Sequence, residues 1–472
     1  MSEHAVVYPA TSQIGNDVRA VALQAKAASR LLAPLVGARR NVALEAMAVA
    51  IDSAKEELFA ANAEDLRATE SMTGEEALSP ATFSRLKLSE AKLCEMVEQI
   101  RSVAALPDPL GRVLDAIELD DEDPAAFSSV EPGLRLQKLS VPLGVLAVIF
   151  EARPDAVTQI AALALKSGNA VILKPGREVE RTATALVRVL RTALQQQELP
   201  QDAISLVLGR ERVTQLLNAH DLVDMVIPRG SKALVEYVQN HTRIPVLGHS
   251  EGICHIYVDR AADPELAKRV IADAKLDYPA ACNAVETVLI HREIAKSLLP
   301  ELAAELQAKG IRLHGDSAVR ELLGAQQNEI SAVQDWHTEY GEPELAIGVV
   351  DSLEAAIKHI HAHGSSHTES ILTEDAQAAE RFLREVDAAG VFHNVSTRFA
   401  DGFRFGFGAE VGISTSKFHA RGPVGLDGLT TYKYVLRGHG HVAGDYRGSH
   451  ARSFTHRRES RQVPIPFSSR VS

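Results

Sequence analysis

The chain contains little cysteine: only Cys94, Cys254 and Cys282 occur in its 472 residues. Three thiols so far apart in sequence are too few for a disulfide framework, and they lack the spacing of a zinc site. We therefore predict no bound metal. The chemistry left open to cysteine is that of a single thiol.

A long apolar run is also missing, so no segment predicts a membrane-spanning helix. Residues 1–18 have neither the basic start nor the apolar core of a signal peptide. These two absences predict a cytoplasmic protein without a membrane partner.

A basic face is missing as well. The formal net charge is −12, and the 50 Lys and Arg are well mixed with the 62 Asp and Glu, which argues against a nucleic-acid partner. The one basic cluster is the Arg- and Ser-rich segment 447–472. It has no helical or strand period, which favours a disordered, solvated tail over a docking element, and deleting residues 450–472 is expected to change little.

The apolar content of 46% is enough to build two or three packed units. Residues 17–70 carry apolar side chains at helical spacing. From residue 144 to about 250, short apolar runs alternate with helical segments, and a second such series begins at 251. This alternation predicts the α/β fold class, with two parallel-sheet domains at 17–250 and 251–420.

Ligands of such sheets bind beyond the carboxyl ends of the strands, so we expect contacts from the loops FEARPD, KPGRE and PRGS. The segment 120–142 has another character. It contains LRLQKLSVPLG, whose alternation is typical of exposed or edge strands. Arms of this kind commonly cross a subunit interface, so we predict a homo-oligomer.

The three cysteines differ in their surroundings. Cys94 lies beside an apolar helical stripe and is predicted to be a packed core thiol, and Cys254 lies in a strand-like run and is predicted to be buried. Cys282 follows small residues in a turn before the strand VETVLI, where a thiol can face a cleft and backbone N–H groups can bind an oxyanion. Spacing alone leaves a nucleophilic and a structural Cys282 equally open.

Two further patterns are weak. The nearest match to a dinucleotide-binding glycine motif, GFGAEVG at 406–412, lies outside the alternation of strands and helices, so a nicotinamide cofactor would be held in another way. The histidines of KHIHAHGSSH match no usual zinc spacing, and a solvated helix end is the favoured interpretation for His359, His361, His363 and His367.

Several long stretches resemble one family, the glutamate-5-semialdehyde dehydrogenases or gamma-glutamyl phosphate reductases, which belong to the aldehyde dehydrogenase superfamily. The resemblance runs from about residue 17 to 440, leaving 1–16 as an N-terminal extension. The stretches, in order, are VPLGVLAVIFEARPD, KSGNAVILKPG, VIPRGS, IPVLGHSEGICHIYVD, YPAACNAVETVLI, NVSTRFADGFRFGFGAEVGISTSKFHARGPVGL and LTTYKYV.

This resemblance implies an aldehyde dehydrogenase-like fold, with a small β oligomerisation flap formed by the arm 120–142 and the segment 421–446. It implies NADPH-dependent reduction of L-glutamyl 5-phosphate to L-glutamate 5-semialdehyde and phosphate, the second step of proline biosynthesis. Functional coupling to glutamate 5-kinase, which makes the unstable substrate, is compatible with that role.

The resemblance also makes Cys282 the nucleophile, which would form a thioester that hydride from NADPH reduces. FEARPD lacks the superfamily's oxyanion-binding Asn, so backbone N–H groups or Asn283 would form the oxyanion hole. Val246 stands where hydrolytic relatives carry a general base, which implies that the thioester hydrolyses slowly.

The superfamily's cofactor contacts have counterparts in this chain. They imply a lysine on the adenosine ribose, a turn facing the pyrophosphate at a helix N-terminus, and a glutamate on the nicotinamide ribose. In NAD-using relatives an acidic residue stands where this chain has Arg177, which favours NADPH. The implied cofactor residues are Lys174, Pro175, Gly176, Arg177, Gly230, Ser231 and Glu410.

Arg153, at a strand's carboxyl end, and Arg398, in STRFADG, are the candidate cations for the anionic groups of the substrate. Each serves equally well as an interdomain salt bridge. Two other functions stay open: a phosphate- or CoA-dependent aldehyde dehydrogenase acting on another acyl donor, and a catalytically silent scaffold of the same fold.

Overall fold

The structure, a computed structural model, describes residues 17–72, 78–120, 133–324, 330–449 and 451–458. None of the helices in these ranges combines the length and the apolarity that a membrane crossing requires. The α-helices are α1 (Val18–Leu32), α2 (Gly37–Ser53), α3 (Lys55–Glu70), α4 (Pro80–Leu86), α5 (Glu90–Ala105), α6 (Ala156–Lys166), α7 (Glu180–Gln196), α8 (Arg212–Leu217), α9 (Lys232–Asn240), α10 (Pro264–Leu276), α11 (Arg292–Ala308), α12 (Ser317–Leu323), α13 (Leu353–His363) and α14 (Ala376–Glu385).

The strands form three larger sheets and one short hairpin-like pair. They are β1 (Val113–Asp120), β2 (Leu134–Pro142), β3 (Val145–Phe150), β4 (Ala170–Pro175), β5 (Ile204–Leu206), β6 (Met225–Arg229), β7 (Cys254–Val258), β8 (Val285–His291), β9 (Arg312–Gly315), β10 (Ser331–Ala332), β11 (Glu344–Val350), β12 (Thr368–Leu372), β13 (Gly390–His393), β14 (Ile413–Ser414), β15 (Gly422–Pro423), β16 (Thr430–Arg437) and β17 (Arg457–Arg458).

The first sheet is parallel, in the order β5-β4-β3-β6. Its two central strands are buried along their whole length, as their continuous apolar sequences predict. Helix α1 packs against β4, while α2 and α3 pack against α7. The loops FEARPD, KPGRE and PRGS follow β3, β4 and β6, so they meet at the carboxyl edge of this sheet, as predicted.

The second sheet is also parallel and has seven strands, in the order β10-β9-β11-β8-β7-β12-β13. Its central strands β7 and β8 are entirely buried. The predicted α/β class with two parallel sheets is therefore confirmed. The domain limits at 250 and 420 stay predictions, although the first sheet does end before residue 250 and the second begins at Cys254.

The third sheet is an antiparallel flap in the order β16-β2-β1-β17. Residues 133–142 of the predicted arm lie in it, whereas 121–132 fall outside the described residues. The flap begins earlier than the predicted arm, because β1 starts at Val113. Its edge strand β16 exposes Tyr432, Tyr434 and Leu436.

The tail prediction is wrong for residues 451–458. Strand β17 pairs with β1, and the Arg457 guanidinium lies 2.8 Å from the Glu118 carboxylate. The guanidinium of Arg452 lies 2.6 Å from Asp120 in the same sheet. Ionic contacts and a two-residue strand produce no periodicity, so the sequence pattern did not reveal this packing. Residues 459–472 and the extension 1–16 lie outside the described residues.

Two smaller predictions about side-chain burial are also wrong. Cys94 is exposed on α5, one position away from the buried Leu93. In α13, His359 is half-buried, and its ring packs edge-on against Trp336 with ring centroids 4.7 Å apart. Burial lowers the pKa of His359 to about 3, so its ring is neutral near pH 7. The segment is therefore a packed cluster, and of the four histidines only His361 is exposed.

Candidate active site

Cys282 lies in a turn between α10 and β8 and is half-buried. Two backbone hydrogen bonds shape the turn: Ala281 N–H donates to Tyr278 at 3.1 Å, and Ala284 N–H donates to Ala281 at 2.9 Å. The buried thiol of Cys254 donates to the Cys282 carbonyl at 3.4 Å. The sequence-based placement of Cys282 in a turn, and of Cys254 in a buried strand, is confirmed.

Two histidines accompany Cys282. His249, His367 and Cys282 each offer a side-chain atom, and these three atoms lie within 4.8 Å of one another. Sequence reasoning placed no histidine beside Cys282 and so missed both. His249 lies before β7, Cys282 lies after α10, and His367 lies before β12. Only the tertiary fold brings these three separate segments together.

Asn283 ties the Cys282 turn to the 396–400 loop. Its amide donates to the Ala400 carbonyl at 2.9 Å, and its side-chain oxygen accepts a hydrogen bond from Arg398. Arg398 also pairs with Asp277 at 3.0 Å, inside the second α/β unit. Because both ends of the Asn283 side-chain amide are engaged, the amide is not free to bind an oxyanion. The roles of Asn283 and Arg398 stay predictions. For Arg398 the salt-bridge alternative gains support, although its partner Asp277 belongs to the same predicted domain, 251–420.

A second arginine at the site was missed by sequence reasoning. Arg229, at the end of β6, donates to the Gln159 side chain at 3.0 Å. Burial, together with the neighbouring Arg153, lowers the pKa of Arg229 to about 10, while Glu410 and Cys282 act in the opposite direction. Arg229 directly precedes the predicted residues Gly230 and Ser231. Its position at the end of a strand is the feature from which its place in the site could have been predicted. Arg153 itself is exposed.

Glu410 lies close to the same centre. Its carboxylate accepts a hydrogen bond from the Gly402 N–H at 2.8 Å. Burial raises the pKa of Glu410 to about 7, and the hydrogen bond from Gly402 and the charge of Arg229 offset part of that rise. The structure therefore brings Glu410, Arg229 and Cys282 into one electrostatic neighbourhood between the two parallel sheets.

The predicted ribose lysine, Lys174, is buried at the end of β4, and its ammonium donates to the Pro175 carbonyl at 2.5 Å. Burial lowers the pKa of Lys174, against the opposing effect of Glu180. Gly176 N–H donates to Phe150 at 2.7 Å, which fixes the start of the next loop. Arg177 is exposed and lines an open cleft of about 1020 Å³ between α3 and α7.

The N-terminus of α9 already receives an anionic group. Glu151 accepts a hydrogen bond from the Ser231 N–H at 2.8 Å, and the Ser231 hydroxyl caps the helix by accepting from Leu234 N–H at 3.4 Å. A Cβ at Gly230 would lie 2.3 Å from the Glu151 carboxylate, so a larger residue here would force the Glu151 side chain to move. This turn therefore suits negatively charged oxygen, as expected of a helix N-terminus.

Comparisons with known proteins show the family of the chain. Residues 3–332 match the aldehyde dehydrogenase family. The chain is 52% identical to the gamma-glutamyl phosphate reductase of Synechococcus sp. (strain JA-2-3B'a(2-13)), over 92% of each chain, and 51% identical to that of Natronomonas pharaonis, over 88% of this chain and 92% of the relative. The crystal structure of gamma-glutamyl phosphate reductase from Thermotoga maritima superposes with a TM-score of 0.84, at 36% identity, covering 90% of this chain and all of that chain.

Proposed function

Because the chain belongs to the aldehyde dehydrogenase family, and within it to the gamma-glutamyl phosphate reductases, we infer that it reduces L-glutamyl 5-phosphate to L-glutamate 5-semialdehyde in proline biosynthesis. The observation that carries this inference is the half-buried Cys282 in a turn close enough to Arg229 for the two groups to interact electrostatically. A reactive thiol beside a cation suits an acyl phosphate, whose leaving group is anionic.

In the first step, the Cys282 thiolate attacks the acyl carbon, a carbon–sulfur bond forms, and the carbon–oxygen bond to phosphate breaks. Arg229 and the exposed Arg153 supply positive charge for the departing phosphate, whose oxygens suit a guanidinium fork. In the second step, the thioester carbon accepts hydride, and the carbon–sulfur bond breaks to release the aldehyde and the thiolate.

The family uses a nicotinamide cofactor, which supplies the hydride when bound. The residues at the first sheet fit such a group. The turn at Gly230 and Ser231 offers a backbone N–H to a pyrophosphate that displaces the Glu151 carboxylate, and the buried Lys174 offers a cation to the adenosine ribose. We propose that Glu410 orients the nicotinamide ribose, in its protonated or ionised form according to pH, since burial raises its pKa to about 7.

The thioester survives until hydride arrives because the position of the hydrolytic base is apolar. Val246 occupies it, next to Leu247, whose N–H donates to Val226 at 2.9 Å and so anchors the segment to the first sheet. We propose that water is therefore not activated there and that phosphate is the preferred acceptor in the reverse direction.

The direct test runs the reaction backwards. Wild-type enzyme with glutamate 5-semialdehyde and NADP⁺ is expected to form NADPH at least about tenfold faster with phosphate than without it. Faster turnover with CoA than with phosphate would indicate the alternative function, a CoA-dependent aldehyde dehydrogenase. No turnover under any of these conditions would favour the other alternative, a catalytically silent scaffold. Equal rates with and without phosphate would contradict the proposed function.

Cofactor choice gives a separate prediction. Arg177, at the rim of the 1020 Å³ cleft, and Lys174 place two cations near an adenosine 2′-phosphate, so we propose NADPH as the physiological cofactor. Arg177→Glu is expected to lower kcat/KM for NADPH by about a hundredfold and to change kcat/KM for NADH much less, because a charge-assisted hydrogen bond becomes a repulsion.

A matched control is Arg243→Glu, which reverses the charge of another exposed arginine of the first unit, just before the segment that pairs with the start of β6. It is expected to leave both cofactor specificities unchanged. A wild-type preference for NADH, or equal losses in both variants, would count against the assignment.

We propose, further, that the protein forms a homo-oligomer through the flap, where β16 offers an edge strand with exposed Tyr432 and Tyr434 to a second copy. The acyl phosphate is labile in water, so its supply by glutamate 5-kinase calls for functional coupling. A cytoplasmic location fits a catalytic thiol among three free cysteines, since that compartment keeps thiols reduced.

A further inference from the structure

The cluster of His249, Cys282 and His367 has the side chains and the spacing to bind a metal ion. Its three ligand atoms lie within 4.8 Å of one another, and the ring centroids of the two histidines are 5.0 Å apart at an interplanar angle of 75°. We propose that these three side chains bind one Zn²⁺ ion, which blocks the thiol and reversibly inhibits the enzyme. The binding stands on geometry alone, whereas the inhibition rests on the proposed function.

His249 is held in the form that binds metals. Its Nδ1 lies 2.8 Å from the carbonyl oxygen of Ile413, and a carbonyl can only accept a hydrogen bond. Nδ1 therefore carries the proton, and the lone pair is left on Nε2. A histidine whose other ring nitrogen donates to a backbone carbonyl is the usual arrangement around protein-bound metal ions.

His367 provides a second, independent observation that favours a bound cation. Its side chain is 0% exposed. The Nδ1 atom lies 2.9 Å from the Thr368 hydroxyl and 3.7 Å from the Cys254 thiol, whereas Nε2 is buried and has no hydrogen-bond partner among the described residues. In the tautomer whose Nδ1–H donates to the Thr368 hydroxyl, Nε2 carries an unpartnered lone pair, which is unfavourable in a protein interior and which a bound cation would satisfy.

The donor set selects zinc over the harder cations. One thiolate and two imidazoles are soft to intermediate ligands, which suit Zn²⁺ and not Mg²⁺ or Ca²⁺. Three protein ligands leave a fourth tetrahedral position for water. Small inward side-chain movements bring the three atoms to zinc distances, since ligands about 2.0–2.3 Å from the ion are less than 4.8 Å apart.

Binding changes no oxidation state. The Cys282 thiol releases its proton to water, a zinc–sulfur bond forms, and the sulfur lone pair that attacks the acyl carbon is no longer available. A chelator that removes the ion returns the thiol. The sequence predicted no metal site because its three ligands lie on separate segments, and no spacing pattern connects them.

The test uses the full-length, chelator-treated protein and zinc itself, with affinity measured by competition against a chromogenic chelator. Wild type is expected to bind one equivalent of Zn²⁺. His249→Gln, a change at a half-buried position, is expected to weaken binding by about tenfold or more, and Cys282→Ser more strongly. Cobalt added in place of zinc should give the visible absorption of a four-coordinate site with a thiolate charge-transfer band.

Two variants serve as matched controls, Cys94→Ser for an exposed thiol and His241→Gln for an exposed histidine. Both are expected to keep wild-type zinc affinity. Saturating zinc should also slow alkylation of Cys282 and leave that of Cys94 unchanged, and EDTA should restore full turnover. His367→Gln adds a third ligand test if that buried variant folds.

The outcomes separate the two proposals. Unchanged zinc affinity in both His249→Gln and Cys282→Ser, or alkylation of Cys282 at the same rate under saturating zinc, would overturn the metal site while leaving the reductase assignment intact. Zinc binding with the expected variant pattern in a protein that has no reductase activity would keep the site and reject the function.

Discussion

Cys282→Ser is expected to abolish turnover, lowering kcat by about four orders of magnitude or more, with the fold and the cofactor site unchanged. A serine hydroxyl is close to a thiol in size, so the turn that holds Cys282 should persist. The hydroxyl releases its proton far less readily than a thiol, and an alkoxide is rare near neutral pH. Steady-state kinetics with NADPH measure the loss of turnover, and fluorescence titration of the cofactor tests whether its site is unchanged.

The other two cysteines provide the comparison. Cys94→Ser alters an exposed side chain on α5 and should retain wild-type activity and stability. Cys254→Ser replaces a buried thiol whose pKa is raised by burial, and it should affect stability more than chemistry. The adjacent His249 and His367 give a serine a nearby base, so the size of the residual rate matters. Turnover of Cys282→Ser within tenfold of wild type would refute the thioester mechanism.

Gly252→Ala is expected to lose about a hundredfold or more in kcat and to unfold at a lower temperature, with a loss of about 1–3 kcal/mol in the free energy of unfolding. A Cβ built at Gly252 would lie 1.9 Å from the carbonyl oxygen of Cys282 and 2.6 Å from its Cα. These are backbone atoms, so no side-chain rotation relieves the clash. The turn that carries the nucleophile must move instead.

Gly248→Ala is the matched control, because it adds the same methyl group to the same loop. Its Cβ would meet Pro228 at 3.5 Å, an ordinary contact. Thermal unfolding, kcat and the alkylation rate of Cys282 are the measurements. If Gly252→Ala and Gly248→Ala behave alike, the loop does not hold the nucleophile in place as the contact distances require.

The fold was predictable because its signals are local. Continuous apolar runs such as those of β3 and β4 are typical of buried parallel strands, and the helical segments between them cover both faces of the sheet. The loops KPGRE and PRGS follow from the same logic, since they lie at the carboxyl ends of such strands, whereas the cofactor roles of Lys174 and Ser231 are implied only by the family resemblance. Cys282 was distinguishable by its turn, although spacing alone did not establish its role.

The rest of the site depends on contacts between distant segments. Nothing in the sequence links His249 or His367 to Cys282, and nothing indicates that Arg398 engages Asn283 and Asp277. The packing of residues 451–458 on β1 could not be predicted either, because ionic contacts leave no signal in composition or periodicity. Cys94 shows the limit of helical periodicity, because a displacement of one residue takes a side chain from the buried stripe to the surface.

The contact between Glu151 and the N-terminus of α9 has a kinetic consequence. Since the Glu151 carboxylate accepts the Ser231 N–H at 2.8 Å, a phosphate group that takes this N–H must first displace the carboxylate. On the proposed cofactor site, the Glu151 carboxylate competes with the anionic part of the cofactor for the Ser231 N–H. The free energy of that displacement is subtracted from cofactor affinity, and the carboxylate is in place to refill the helix end as the spent cofactor dissociates, which favours rapid exchange over tight retention.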